Sequence, residues 1–242
     1  MRTAIYVLIS GFLIWAPTVA QPDTAGMFDE NENDFRLSIG VSGGITLVSP
    51  DIVNDQIAFL NNSLDVGVDK IQSMWQFAGF MRIRPRMAPY MLIRVEAITV
   101  ARAYNYYATG RSSSNTPTPS FDVSSSTRWS VYPLIIGIGT TIPKTPIEVE
   151  VGAIYALGYI TETGSLSSGG AYTNTLSGTG FGLQGRVAPH FRYSKNAVIS
   201  LEMSYRYLVV GSYSDNLGRS LNDFEMDMSG IAVSLGVTYT FD

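Results

Sequence analysis

Cysteine is absent from the 242 residues, and histidine occurs once, as His190. The first absence excludes disulfides, thiolate chemistry and lipid attachment through an N-terminal cysteine. With a single imidazole as well, nitrogen and sulfur metal sites lose their usual ligands, and only an all-oxygen calcium site stays chemically open. Charged side chains make up 15% of the chain, and the formal net charge is −4. A surface without basic excess gives polyanionic phosphate nothing to bind, so no nucleic-acid partner is expected. The chain also lacks any run of the ~18 apolar residues that a membrane-spanning helix needs.

The first segment carries Arg2, an apolar stretch from Ala4 to Trp15, and Thr18-Val19-Ala20 before Gln21. Its shape is that of a secretory signal peptide, which places a leader at 1–20. A short acidic tail at 21–33, expected to be mobile, precedes one domain expected at 34–242 with no further module after it.

What the chain has in abundance is alternation. From Ile231 to Phe241 every odd residue is apolar (Ile231, Val233, Leu235, Val237, Tyr239, Phe241), and every even one is small or hydroxylated. The first strand, 35–48, repeats this with Phe35, Leu37, Ile39 and Val41 opposite Arg36, Ser38 and Ser42. Six more runs follow at about 74–84, 90–104, 128–142, 147–160, 180–192 and 197–209. Eight is an even number, and the connections alternate between short ones (85–89, 143–146, 193–196) and long ones (49–70, 105–127, 161–179, 210–229). A period of two on every strand, with hydrocarbon as the solvent of one face, is satisfied by a closed barrel. The fold class expected is all-β, an eight-stranded antiparallel up-and-down transmembrane β-barrel.

The closing hexapeptide Gly236-Val237-Thr238-Tyr239-Thr240-Phe241 is similar to the C-terminal signal of outer-membrane barrels, in which alternating apolar residues lead to an aromatic end; here Asp242 follows it. The mature chain as a whole resembles the small eight-stranded outer-membrane β-barrels, the class of the OmpA transmembrane domain and OmpX. That resemblance implies a bacterial outer-membrane location with both termini in the periplasm and four long loops outside. It implies the barrel assembly machinery as a partner in biogenesis, reading Val237, Tyr239 and Phe241. Outer-membrane lipids and lipopolysaccharide would surround it, with an extracellular ligand unknown.

With odd positions toward lipid, the inward set comprises Arg36, Arg82, Arg84, Arg94, Glu96, Arg102, Glu148, Glu150, Gln184, Arg186, His190, Arg192, Glu202 and Arg206. A charge facing lipid at the midplane costs about 2–4 kcal/mol, which accounts for the segregation by parity. Eight strands enclose an interior only wide enough for side chains, so these residues are expected to fill the lumen as a polar network without an open pore. The run around Pro133 is apolar on both faces (Leu134, Ile135, Ile136, Ile138), leaving its register open. Aromatics near strand ends, including Trp75, Phe77, Tyr90, Tyr104, Tyr106, Tyr107, Trp129, Tyr132, Tyr205, Tyr207, Tyr239 and Phe241, are expected to form two interfacial girdles.

Ser49-Pro50-Asp51 reads as a helix start, and Val53, Ile57, Leu60 and Leu64 follow at helical spacing. The helix they predict has no basic residue on its polar face, which favours capping of the barrel mouth over lying in the lipid interface. The Ser/Thr/Gly-rich stretches 112–126 and 165–178 are expected to be mobile loops. Candidate chemistry is sparse. The segment His190-Phe191-Arg192-Tyr193-Ser194 approaches the histidine–serine signature of lipid A deacylases, but Arg192 stands where the serine belongs. Glu148 and Glu150 are more simply partners for arginine than an acid–base pair. Asp223, Glu225 and Asp227 offer oxygen ligands but read as solvated loop charge. No cofactor, metal or catalytic residue is expected. The function expected is non-enzymatic: a structural role, or display and binding through extracellular loops. The alternatives are a narrow channel for small solutes or ions, a lipid A-modifying enzyme, and a soluble lipid-binding barrel of the lipocalin kind with its apolar face inward.

Overall fold

The computed structural model describes residues 35–48, 50–64, 66–110, 121–166, 170–221 and 224–241. The expected leader and tail, Asp223 and Asp242 lie outside them. Strands β1 (Phe35–Val48), β2 (Ser73–Pro85), β3 (Met91–Gly110), β4 (Phe121–Thr141), β5 (Ile147–Leu166), β6 (Ala171–Arg192) and β7 (Ala197–Ser214) pair in sequence order. Two short pieces, β8 (Ser220–Leu221) and β9 (Met226–Asp227), add to β7, and β10 (Gly230–Thr240) pairs with both β7 and β1. That last pairing closes a ring of eight antiparallel strands and leaves no free edge around the barrel. Helix α1 (Asp51–Leu64) lies in the first long connection. No helix among the described residues is long and apolar enough to cross a membrane.

The parity read from the sequence matches the burial. On β10, even residues are buried while Val233, Leu235, Val237 and Tyr239 are exposed. The large exposed side chains of the other ring strands are apolar too, among them Val41, Phe77, Ile136, Val151, Phe181 and Tyr205. An outer wall so apolar has hydrocarbon as its natural solvent, which excludes the lipocalin arrangement. On β4 the inward residues are the odd ones, Trp129, Val131, Ile135 and Gly137, and the outward ones are Tyr132, Leu134, Ile136 and Ile138. The register left open by the sequence is thereby fixed.

Two expectations need correction. The stretches read as long loops are largely strand: β3 runs on to Gly110, β4 starts at Phe121, β5 ends at Leu166 and β6 starts at Ala171. Paired backbone groups such as Tyr106↔Ser125 and Glu162↔Asn174 hold these segments extended although most of their side chains are polar. Strands β3 to β7 therefore project beyond the rim set by Val48, Ser73 and Gly230. Second, Trp129 is buried inside the barrel instead of standing in a girdle, and Tyr104 and Tyr106 pack partly against the same core. Aromatic residues at strand ends are girdle residues only when their parity is outward, as it is for Trp75, Tyr132 and Tyr207.

Candidate functional site

The barrel interior has two layers. At the short-turn end, four buried arginines (Arg82, Arg94, Arg186, Arg206) meet four buried glutamates (Glu96, Glu148, Glu150, Glu202), so this layer is neutral in sum. Successive even positions of β2, β3, β5, β6 and β7 supply them, two or four residues apart on one face of each strand. Glu202 is the hub. Its carboxylate lies 3.1 Å from Arg82, 3.0 Å from Arg94 and 3.2 Å from Arg186, and Ser200 Oγ donates to it at 3.3 Å. Arg94 also pairs with Glu96 at 2.7 Å, and its guanidinium sits 3.7 Å above the centre of the Phe80 ring. Glu148 takes Arg82 at 3.4 Å and Arg84, and Glu150 takes Arg186.

Glycine makes room for this packing where a side chain could not fit. A Cβ on Gly137 would stand 2.4 Å from Glu150 Oε1, so the carboxylate occupies space that only glycine leaves on β4. Arg206 closes the layer from above, donating twice to Gln184 Oε1 at 3.2–3.3 Å. The next inward residue on β7 is Leu208, and on β3 the change from Glu96 to Ile98 is equally abrupt. Of the remaining sequence candidates, Arg36 and Arg84 are half-buried at the short-turn rim, where Arg84 also donates to Thr141 at 2.9 Å.

Arg102 and Arg192 are exposed and stand outside the network. Parity alone placed them inward, but both sit where the barrel ends. β2 pairs with β3 only as far as Trp75↔Ala101, so Arg102 lies at an uncovered edge, and Arg192 is the last residue of β6. His190 lies with its Nε2 2.8 Å from Glu148 Oε2, out of line for a hydrogen bond, and Ser200 across from it in register donates to Glu202. Among the described residues the hydroxyl opposite the imidazole, Ser200, is thus directed to a carboxylate and not to His190. Val237, Tyr239 and Phe241, the residues expected to form an assembly signal, are all exposed, with the two rings 5.2 Å apart.

The long-loop half of the interior is apolar, a feature that sequence reasoning missed. Met74, Ile98, Val100, Trp129, Val131, Ile135, Ile154, Leu208 and Val210 line it, and Val53 and Ile57 of α1 enter it from above with no exposed surface. The helix thus caps the barrel mouth. Asn54 fastens it by donating to Ile71 O at 3.0 Å and accepting from Ile71 N at 2.7 Å, and Asn61 does the same with Val68 at 2.9 Å each way. The fourth long connection folds in as well. Its acidic residues Glu225 and Asp227 are exposed because they alternate with Met226 and Met228, which are buried to about 1%. The period of two was visible in Glu225-Met226-Asp227-Met228, although it reads as loop charge when only the acids are counted.

Tyr213 breaks the parity rule. Between Thr179↔Gly211 and Ser177↔Ser214, β7 holds one extra residue, and Ser212 there takes φ of 52°. This bulge turns Tyr213 inward, fully buried, edge-on to Phe224 at 5.1 Å. Gly158 and Gly178 leave the space for it, since a Cβ on either would come within 2.5–2.9 Å of the tyrosine. No group of three or more metal-ligating side chains occurs among the described residues.

A closed antiparallel ring, apolar outside and filled inside, defines a small eight-stranded β-barrel protein of the outer-membrane type. No family model and no curated protein matches the chain. Among solved structures it is similar to a major outer membrane protein from Thermus thermophilus, with 10% identity over 86% of this chain and 100% of that one at a TM-score of 0.43. It is similar also to the outer membrane protein OprG from Pseudomonas aeruginosa (13% identity, 84% and 95% covered, TM-score 0.40). The attachment invasion locus protein Ail of Yersinia pestis gives 16% identity, 87% and 100% covered, and a TM-score of 0.36.

Proposed function

We propose that this chain is an integral outer-membrane protein without enzymatic turnover, whose barrel is a sealed anchor for the projecting strands β3 to β6. In this reading the long-loop rim faces outward and the termini lie in the periplasm. The supporting observation is the double filling of the lumen. A guanidinium–carboxylate layer below and a largely apolar layer closed by Val53, Ile57, Met226 and Met228 above fill the lumen with buried side chains. An ion entering the upper layer would lose its hydration with nothing to replace it, which disfavours the channel alternative. The exposed polar hairpins are then the part free to meet a ligand.

Planar-bilayer recording of the refolded chain tests the seal. The expected result is an absence of steady current at any holding potential, and a reproducible single-channel step would replace the anchor reading with that of a pore. Lipid A from cells making the chain should in addition be unaltered in mass, since His190 has no activated partner.

A further inference from the structure

The short-turn rim carries one sign of charge. Each of its three turns holds an exposed cation: Arg86 between β2 and β3, Lys144 between β4 and β5, and Lys195 between β6 and β7, with Arg192 exposed at the end of β6. Among the described residues no exposed carboxylate stands at this rim, since Glu148 is buried in the lumen. The opposite rim mixes the signs, with Asp51, Asp55 and Asp227 exposed as well as Lys70, Arg102 and Arg128. Because the strands alternate in direction, the three turns recur at every second strand around the ring. The cations therefore surround the rim and form no one-sided patch.

Each turn also sets an apolar or aromatic side chain in the open. Met87, next to Arg86, is 98% exposed, and Tyr193, two residues before Lys195, is 79% exposed. Ile142, two residues before Lys144, is exposed too. One such residue alone is ordinary on a protein surface, but the same pairing on all three turns calls for a partner with both characters. The turns are stiff. Ala88 N donates to Pro85 O at 3.2 Å, Thr145 N to Ile142 O at 3.1 Å, and Tyr193 N and Ser194 N both to Ala197 O at 3.0 and 3.1 Å. Pro85, Pro89, Pro143 and Pro146 restrict the chain further. Lys144 takes φ of 65°, a left-handed conformation that glycine or asparagine would adopt more readily. The cations thus stand at a fixed height just past the apolar outer wall, which ends in Phe35, Ile142, Phe191 and Phe241, all exposed. That is headgroup depth, where the amphipathic residues of a membrane protein gather.

We infer that the short-turn rim binds anionic glycerophospholipids of the leaflet it meets, with one headgroup phosphate at each turn. The cation draws the phosphate, while the adjoining Met87, Ile142 or Tyr193 packs on the glycerol and the upper acyl chain. A soluble polyanion would match the cations but leave those side chains in water, and a zwitterionic headgroup would bring a cation of its own against them. Three separate sites around a ring suit an annulus of separate lipids, each held by its own turn. The inference rests on the membrane reading of the fold but requires neither a sealed lumen nor loop display.

The test uses the refolded chain in phosphatidylcholine nanodiscs doped with phosphatidylglycerol, with lipid retained after extraction counted by native mass spectrometry. Wild type is expected to keep phosphatidylglycerol in preference to phosphatidylcholine. Arg86→Gln, Lys144→Gln and the pair R192Q/K195Q are each expected to weaken one site, by about fivefold for each cation removed. The retained count should fall stepwise as turns are combined, and the preference should vanish in R86Q/K144Q/R192Q/K195Q. Arg128→Gln, an exposed arginine at the opposite rim, is expected to retain lipid as wild type does. Equal retention of the two lipids by wild type, the outcome if Asp29, Glu30, Glu32 and Asp34 ahead of β1 neutralise the ring, would overturn the inference. Unchanged retention in the fourfold variant would do so as well. Displacement of phosphatidylglycerol by soluble polyphosphate at equal phosphate concentration would also overturn it, by showing a site for a free polyanion. Heat-modifiable migration of every variant on gels separates loss of lipid from loss of the barrel.

Discussion

Glu202 carries the heaviest single electrostatic load in the barrel, and Glu202→Gln isolates it. The change keeps the shape of the side chain and removes the charge from the middle of Arg82, Arg94 and Arg186, which approach it at 3.0–3.2 Å. One such contact is worth about 5 kcal/mol at an effective dielectric of 20 and about 1.4 kcal/mol in bulk water. Repulsion among the arginines and the desolvation of every group offset most of the gross attraction. Removing one partner of a buried pair therefore costs about 3–5 kcal/mol net, against about 0–1 kcal/mol for a solvated pair. Glu202→Gln is expected to fall in the first range. Glu96→Gln, which deserts Arg94 alone, should cost about 1.5–3 kcal/mol. Reversible urea unfolding from phosphatidylcholine vesicles, followed by the fluorescence of Trp75 and Trp129, measures both. A cost below about 1 kcal/mol for Glu202→Gln, or equal costs at Glu202 and Glu96, would refute the picture of a dry network with one hub.

Ile57, fully buried under the mouth, should cost about 2–5 kcal/mol as Ile57→Ala, with protease cutting within 50–70 before the barrel loses its heat-modifiable migration. Valine at Gly137 would collide with the Glu150 carboxylate, so Gly137→Val is expected to slow barrel assembly on gels by displacing Glu150 from Arg186. In the turn after β7, Asp215 accepts the backbone amides of Leu217 and Arg219 at 2.9 Å and the Arg219 guanidinium at 2.6 Å. The Arg219 amide, first among these contacts, holds its carboxyl below the ordinary value of 3.8. A depressed carboxyl stabilises the turn fully above its ordinary range and loses that contribution as pH falls through the lowered value. Amide protection at Leu217 and Arg219 should accordingly be flat from neutral pH to about 4 and collapse in stronger acid, whereas Asp215→Asn should lack the acid limb.

Most of the ring was legible because two solvents enforce one period. A strand between hydrocarbon and a packed lumen has no tolerance for a charge on the wrong parity, and β10, β1 and β5 show it residue by residue. The same rule failed where one of its conditions lapsed. Trp129, Val131 and Ile135 are apolar and inward, so β4 reads as greasy on both faces once a polar lumen is assumed throughout. Arg102 keeps inward parity but sits past the last β2 pairing, with no wall beside it. Tyr213 changes face through one inserted residue, for which Ser212 offers no sequence signal. The polar extensions of β3 to β6 are held chiefly by backbone pairing, which side-chain pattern cannot report. Helix α1 was readable because Val53 and Ile57 fall one turn apart beside a proline start, and its acidic polar face pointed to the mouth instead of the lipid.

The uneven height of the wall explains why the interior changes character halfway up. β1, β2 and β10 stop at Val48, Ser73 and Gly230 while their neighbours continue, so the mouth is cut obliquely and its upper layer has wall on one side only. Charged residues in that layer would be half solvated and would hold nothing together, whereas apolar ones draw a lid over themselves. The lid is α1 on the low side and the Phe224–Met228 segment beside it, and it meets Tyr104, Tyr106 and Leu176 at the base of the projecting strands. Each of those three extends the inward parity of its strand past the rim, so the tall sheet gains side-chain packing only where it touches the lid. The seal and the projecting strands are therefore one structural unit. Whatever loosens the helix should loosen the root of β3 and β6 before it disturbs the seam between β1 and β10, which is closed by backbone pairing from Ser38↔Thr240 to Val48↔Gly230.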